Sequence, residues 1–515
     1  MALLLGLDAG TTNFKAALFH PDGRLVASHS QEYQLDTPAV DHVEFDPEAY
    51  WRICCQVIRA VIAKSATRPA DIAALAIACQ GETMICVDGD GHSLGKAIVW
   101  LDNRAGPEAD ILSGELSRDR VYQATGQPDI VATWPAAKIL WLKRHAPDIF
   151  RRTSHFMLLE DFLILRLTGR YTGERSLYSS SLLLDLRTGQ YWPEMLDLLG
   201  IDTARLPGLA DSAVAVGQVC ASACSMTGLD AATMVVTGAL DQAAGMVGSG
   251  NTGTGMVTES TGTCLAVCAN LGGHFAPRSG ERIPLHHGPH SQSFYAVLWY
   301  PTAGLVLRWF RDTLFDPGQQ YAQQDAQQPG RHSGSPGRPD DDRYERMIAE
   351  AAIAAPGADG LLMIPHFCGS GYPDFDTTRR GSFHGLTLNH TRGHMIRAIL
   401  ESIACLLAQA IAAIEQSGIS VTEIRSVGGG SRSSLWNAIK ANVTGKLILP
   451  VNLPEPTCLG AARLAGLGAG YYPTLAAACH TLRAEGPAIQ PDPDTTRIYR
   501  QVYQNFIDLS AGGNR

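Results

Sequence analysis

The stretch that decides the fold is LLGLDAGTTNFKAALF, residues 4–19. The apolar residues on both sides of Asp8 read as two strands, and Ala9-Gly10-Thr11-Thr12 between them reads as a tight turn. Such a hairpin carries one carboxylate, two hydroxyls and several free amide N–H groups at its tip, the makings of a cradle for phosphate and a divalent metal. An ordinary hairpin with a capping aspartate meets the same local pattern, so the rest of the chain decides between them.

Outward from the hairpin, Pro21-Asp22-Gly23 is a turn signal and residues 24–33, RLVASHSQEY, continue the meander as a third strand. Residues 46–66, DPEAYWRICCQVIRAVIAKSA, predict an amphipathic helix. Asp46 is its N-cap, Pro47 its first residue, and Trp51, Cys54, Val57, Ile58, Val61 and Ile62 share one face. IAALAIA, residues 72–78, is short and continuously apolar, which predicts a buried parallel strand. Three meandering strands followed by alternating helix and strand make an α/β layout on a mixed sheet.

A chain of 515 residues is too long for one core, so two or more domains are expected. A formal charge of -9 without a Lys/Arg cluster offers no field for a polyanion, which argues against nucleic acid as a partner. No apolar run is read as approaching a membrane span and no signal-peptide pattern opens the chain, so a cytoplasmic protein is expected. The twelve cysteines include no C-x-x-C pair, and Cys54-Cys55, Cys220/Cys224 and Cys264/Cys268 sit in apolar or small-residue segments. They read as small buried hydrophobes in a reducing compartment.

Glycines cluster again at Gly250-Asn251-Thr252-Gly253, after which residues 254–269, TGMVTESTGTCLAVCA, restart the pattern of strand, hydroxyl-glycine turn and strand. This predicts an internal duplication, two domains of similar plan that each offer a phosphate-binding turn. The boundaries expected are 1–248 and 253–515. Residues 315–342, rich in Gln, Pro, Gly and Asp, are expected as a mobile excursion. Residues 423–442 run strand, triple glycine and helix, where Gly428-Gly429-Gly430 admits a ligand close to the backbone. In residues 455–470, Gly460, Ala461 and Ala462 let a helix lie tightly against its neighbour.

Several motifs are weighed and set aside. GSGNTG, residues 248–253, satisfies G-x-G-x-x-G, but strand-like sequence follows it and no acidic residue lies about 20 positions on, so a dinucleotide site is disfavoured. GHSLGKA has the wrong spacing for a P-loop. HHGPH, residues 286–290, and His390 with His394 lack a third convergent ligand, so they read as loop and surface histidines.

Polar residues at strand ends are the stronger signals. In residues 237–250, TGALDQAAGMVGSG, an apolar strand delivers Asp241-Gln242 into small residues that leave room for a ligand. A carboxylate there can accept a hydroxyl proton beside an amide that holds the substrate, or it can cap the following helix. Gln80, Gly81 and Glu82 in ACQGETMICVD, with Trp100, Asp102 and Arg104 in AIVWLDNRA, offer a polar cavity with one aromatic wall. Asp102 and Arg104 equally suit a structural ion pair.

Together these residues resemble the FGGY family of carbohydrate kinases along essentially the whole chain. DAGTTNFK looks like the family's first phosphate motif, TGALDQAAGMVGSG like its catalytic segment and STGTC like its second phosphate loop. Residues 360–387 with RAILESIA are similar to the C-terminal signature, and VGGGSRSSLWNAIKANVTG to the adenosine motif. The resemblance implies the fold of actin and hexokinase, two ribonuclease H-like domains around a deep cleft, with ATP and Mg2+ as cofactors. It implies that Asp8 holds the metal, that Gly10, Thr11, Thr12 and Lys15 meet phosphate, and that Asp241 is the base with Gln242 holding the sugar. Thr261, Gly262 and Thr263 would grip phosphate from the other domain, with Gly429, Gly430 and Asn437 near adenine and ribose.

For the substrate, IVWLDNRA and ESTGTC look more like xylulokinases than glycerol kinases. QGET is instead closer to the QRET of glycerol kinases, with Gly81 in place of arginine. Loss of that side chain is expected to open space for a longer substrate, with Glu82 as an acceptor for hydroxyls. D-xylulose is the expected substrate, with ribulose, erythritol, glycerol or gluconate as rivals and a non-kinase actin-like ATPase as a different class. The expected partners are a small sugar or polyol and ATP, with no nucleic acid, no membrane, and a homodimer left open.

Overall fold

A computed structural model describes residues 2–273, 282–289, 292–315, 340–480 and 487–511. Strands β1 (Leu3–Ala9), β2 (Asn13–Phe19) and β3 (Leu25–Glu32) form the expected antiparallel meander, with Asp8 opposite Lys15. Helix α1 (Pro47–Ser65) starts where Asp46 accepts the Glu48 amide at 3.0 Å. It buries Trp51, Cys54, Val57, Ile58 and Val61, while Ile62 is only half-buried. Strand β4 (Ile72–Cys79) lies parallel to β1 and is buried along nearly all its length, which accounts for its unbroken apolar run.

After β4 come α2 (Pro135–His145), α3 (Leu159–Thr168) and the one-turn α4 (Arg175–Tyr178). Strands β5 (Ala215–Gln218), β6 (Met234–Val236) and β7 (Ala239–Leu240) complete the sheet. Its order is β5-β6-β4-β1-β2-β3, with β7 also paired parallel to β4. Helix α5 (Asp241–Gly248) leaves the end of β7.

The second half repeats the plan. Strands β8 (Met256–Thr261) and β9 (Leu265–Gly272) form a hairpin. After β10 (Leu285–His287), β11 (Phe294–Tyr300), helix α6 (Gly304–Phe310) and the 25-residue helix α7 (Arg392–Gln416), strand β12 (Glu423–Val427) lies parallel to β8. Helix α8 (Ser434–Thr444) and strand β13 (Ile448–Pro450), parallel to β12, follow. The hairpin β8–β9 beside parallel β12 thus matches the hairpin β1–β2 beside parallel β4. The final small-residue helix is α9 (Pro456–Gly468).

Packing divides the chain into two compact units, and differently from the expected boundaries at 248 and 253. The first comprises Met1–Thr254, Asn270–Val297 and Leu453–Arg483; the second comprises Gly255–Ala269, Leu298–Asn452 and Ala484–Arg515. Helix α9 joins the first unit because its small residues admit backbone contact. A Cβ on Gly460 would lie 1.8 Å from the Ala244 carbonyl oxygen of α5, and one on Gly6 would lie 1.8 Å from that of Cys458. The tight packing expected at Gly460 is therefore present.

Four further expectations meet the structure. Most of the excursion at 315–342 lies outside the described residues. Helix α7 corrects the statement that no apolar run approaches a membrane span, since it is long and apolar enough by composition; 83% of its apolar window is nevertheless buried within the protein. His286 and His287 are not surface residues but buried positions of β10, whereas His394 helps to cap α7 and contacts Asp359 at 3.0 Å. All twelve cysteines are free and seven are buried.

Candidate active site

The first unit gathers its chemistry at the ends of three adjacent strands. Asp8 lies near the end of β1 opposite Ala78 of β4, and Leu240 of β7 lies opposite Cys79. Asp8 and Asp241 therefore emerge on either side of β4, whose continuation supplies Gln80, Gly81 and Glu82. Parallel strands make this happen, because their ends align and the chain turns away there into loops and helices.

Asp8, Glu82 and Asp241 are each half-buried. Burial pushes the Asp241 carboxyl up to about 8; the Asp8 carboxylate adds to the rise, and the Gln242 amide, donating to Oδ1 at 2.7 Å, opposes it. Burial likewise pushes Asp8 up to about 6, against the pull of Lys15. Burial also raises Glu82, held down in part by the Ser180 hydroxyl and Lys138. A carboxyl near 8 is matched to proton transfer around neutral pH.

Gln80 is buried at the centre of this recess. Its Nε2 donates to the Tyr50 hydroxyl at 3.3 Å, and its buried Oε1 has no hydrogen-bond partner. A buried acceptor left without a donor beside two carboxyls suits a hydroxyl-bearing ligand. Trp100 closes one wall and donates from Nε1 to Thr11 Oγ1 at 2.8 Å, so the indole and the tip of the first hairpin are fixed together. The Tyr33 hydroxyl donates to the Gly10 carbonyl, which further sets that turn.

Lys138 is the residue that sequence reasoning missed here. It sits fully buried on α2 and donates from Nζ to the carbonyls of Glu82 and Val99, each at 2.9 Å. Glu82 has a φ of 54°, in the left-handed region, and its carbonyl points at that ammonium. One lysine thus ties the loop of Gln80 and Glu82 to the loop of Trp100. Burial lowers its pKa while the carbonyl dipoles favour the ammonium form. Its signal in the sequence was a charge in the otherwise apolar run PAAKILWL.

Three predicted residues have other engagements. Asp102 is fully buried, accepting the Val43 amide at 2.6 Å and the Arg104 guanidinium at 2.7–3.0 Å, the structural ion pair weighed above. Lys15 pairs with Glu455 at 3.1 Å. A Cβ on Gly81 would meet Leu240 Cδ1 at 3.0 Å and Ser180 Oγ at 3.2 Å. Those two side chains crowd any side chain placed at this position.

The second unit holds a cavity of about 740 Å³, lined by Thr261, Gly262, Thr263, Gly304, Arg308, Tyr344, Gly429, Gly430, Arg432 and Trp436. Gly262 and Thr263 are exposed at the turn of the second hairpin. The Thr261 hydroxyl instead points inward and donates to Glu259 at 2.6 Å; Glu259 also pairs with Lys440 at 2.6 Å. Asn437 does not reach the cavity: it is buried and donates to the Ser431 carbonyl at 2.7 Å, holding the glycine turn. Gly430 must lack a side chain, because its Cβ would lie 2.9 Å from Thr261 Cβ. The N-terminus of α8, capped by Ser433, opens onto the cavity beside Arg432 and across from Arg308. Amide donors, two guanidiniums and an indole suit a nucleotide. Arg308 was missed because it lies on α6, away from any glycine-rich turn, and Arg432 because attention to the turn Gly429–Arg432 went to its glycines.

Comparison with known proteins agrees with this arrangement. The N-terminal domain model of the FGGY family of carbohydrate kinases matches residues 3–248, and its C-terminal domain model matches residues 261–469. A xylulose kinase of Bacillus subtilis is 27% identical over 99% of this chain and 98% of that protein. An autoinducer-2 kinase of Klebsiella pneumoniae is 29% identical over 99% of this chain and 94% of its own. The crystal structure of a xylulose kinase from Rhodospirillum rubrum superposes with a TM-score of 0.86 at 26% identity, covering 99% and 98% of the two chains. With both domain models matched and kinases aligned from end to end, the chain belongs to the FGGY family of carbohydrate kinases and is an ATP-dependent sugar kinase.

Proposed function

We propose that the protein transfers the γ-phosphate of ATP to a hydroxyl of a ketose, D-xylulose in the first instance, giving D-xylulose 5-phosphate. Asp241 takes the proton of the attacking hydroxyl, and Gln80, Glu82 and Gln242 hold the neighbouring hydroxyls. The observation that carries this reading is Asp241 itself: a half-buried carboxyl raised to about 8 at the end of β7, next to β4, whose continuation carries the unpartnered Gln80 Oε1. Thr263 of the second unit, with Arg308 and Arg432, supplies donors for the phosphates of ATP, at the turn where Gly262 keeps the backbone open.

Asp8 fits a divalent metal, since burial holds its carboxyl above the ordinary carboxylate range and a cation relieves that cost. Mg2+ held by Asp8 would neutralise phosphate charge. Positioning and electrostatics supply most of the rate in phosphoryl transfer, and a general base adds roughly 10²- to 10⁴-fold.

The autoinducer-2 kinases, at 29% identity, support a second reading in which the acceptor is that kinase's substrate. The test is sugar-dependent ADP release from Mg-ATP across D-xylulose, L-xylulose, D-ribulose, L-ribulose, glycerol, erythritol, gluconate and autoinducer-2. A clear preference for D-xylulose supports the proposal; preference for another acceptor replaces the substrate, and a rate indifferent to all of them overturns sugar phosphorylation by this site.

A further inference from the structure

Strand β7 has only two residues and one paired edge. It lies against β4 through Ala239 and Leu240, and among the described residues no strand pairs with its other edge. Amides two residues apart along a strand point to the same edge, so Gly238 and Leu240 direct their N–H groups away from β4. Buried amides without partners are costly, and a two-residue strand held along one edge places its end loosely. The residue at that end is Asp241.

Side chains complete the edge. Glu160 of α3 accepts the Gly238 amide on Oε1 at 2.7 Å. Ser176 of α4 accepts the Leu240 amide on Oγ at 2.9 Å, and its own hydroxyl proton goes to Glu174. Glu174 is fixed in turn by the Ser176 amide at 2.9 Å, the Leu177 amide at 3.1 Å and the Ser212 hydroxyl at 2.7 Å. Glu160, Glu174 and Ser176 are all essentially inaccessible to solvent. Burying two carboxyls side by side is unfavourable in itself: burial raises both above the ordinary range, the Glu174 charge adds to the rise at Glu160, and the hydrogen bonds to Glu174 hold that carboxyl down in part. Gly238 cannot yield, because a Cβ there would lie 1.8 Å from the Ile77 carbonyl oxygen.

We infer that Glu160, and Glu174 acting through Ser176, are positioning residues for the base: they replace a missing strand and set where Asp241 stands. This rests on the proposed role of Asp241. A group held within hydrogen-bond reach of a hydroxyl loses rate steeply when displaced, whereas substrate contacts on other elements are spared. The signature is a fall in kcat without a matching rise in KM.

The experiment compares Glu160→Ala, Glu160→Gln, Ser176→Ala and Asp241→Asn in the full chain, with ADP release on the best acceptor of the panel and hydrogen exchange of the peptide spanning residues 237–241. Glu160→Ala and Ser176→Ala are expected to lower kcat about 10- to 100-fold with near-normal KM for acceptor and ATP, and to speed exchange of the Gly238 or Leu240 amide. Glu160→Gln, which keeps the acceptor oxygen, is expected to restore both. Unchanged exchange in the alanine variants overturns the inference whatever the activity, as does a loss confined to thermal stability. Full activity in Asp241→Asn overturns the base instead, and loss there beside full activity in Glu160→Ala overturns only the positioning role.

Discussion

Replacing Asp241 with Asn is expected to make the protein more stable and nearly inactive. The carboxyl stands at about 8 in the fold against 3.8 in an unconstrained chain, so between these values the folded state binds a proton that the unfolded state has released. Stability therefore falls as pH rises through that window, and above it the full cost is present. That difference corresponds to about 6 kcal/mol if wholly expressed. Solvent reaching the half-buried side chain screens much of it, leaving an expected gain of about 2–3 kcal/mol for the amide at pH 8. Asn still accepts the Gln242 amide, so the helix start is kept. Thermal denaturation without nucleotide or metal should show a midpoint raised by about 5 °C at pH 8 and little change near pH 4. Coupled ADP release should show kcat lowered by roughly 10²- to 10⁴-fold. Near-normal turnover, or a midpoint that does not rise between pH 4 and 8, would refute the reasoning.

Other outcomes follow from the same geometry. In the wild-type protein kcat/KM for the acceptor should climb with pH up to about 8, because the base acts only when deprotonated; a flat profile from pH 6 to 8 contradicts it. Lys138→Met leaves the Glu82 carbonyl without a donor, costing about 1–3 kcal/mol, while the Val99 carbonyl keeps the Asp102 amide at 3.0 Å; it should raise KM for the acceptor while ATP affinity measured by titration stays level. Gly430→Ala should weaken ATP binding and lower the melting temperature by forcing Thr261 aside, whereas Gly429→Ala, whose Cβ meets no protein atom within 4 Å, should keep the melting temperature. Gly81→Arg should lower the melting temperature and fail to improve glycerol turnover, since Leu240 and Ser180 crowd that Cβ.

By itself the sequence determined the elements whose reasons are local. The turn at Gly10-Thr11-Thr12, the start of α1 at Asp46-Pro47 and the unbroken apolar β4 follow from glycine, capping and burial periodicity, which act within a few residues. Asp8, Gln80 and Asp241 were legible because a polar residue ending an apolar strand has few other uses. Long-range matters depended on which segments meet in space. The Asp102–Arg104 ion pair was one of two readings the sequence offered, whereas Lys15 was spent on Glu455 and Asn437 on Ser431, pairings that spacing does not encode. Lys138 and Arg308 entered their sites from helices distant in sequence. The room at Gly81 depended on Leu240 and Ser180, about 100 or more residues away along the chain, because space around a side chain is a property of packing. The same holds for the edge of β7, where a missing strand left two amides that only tertiary structure could match with Glu160 and Ser176.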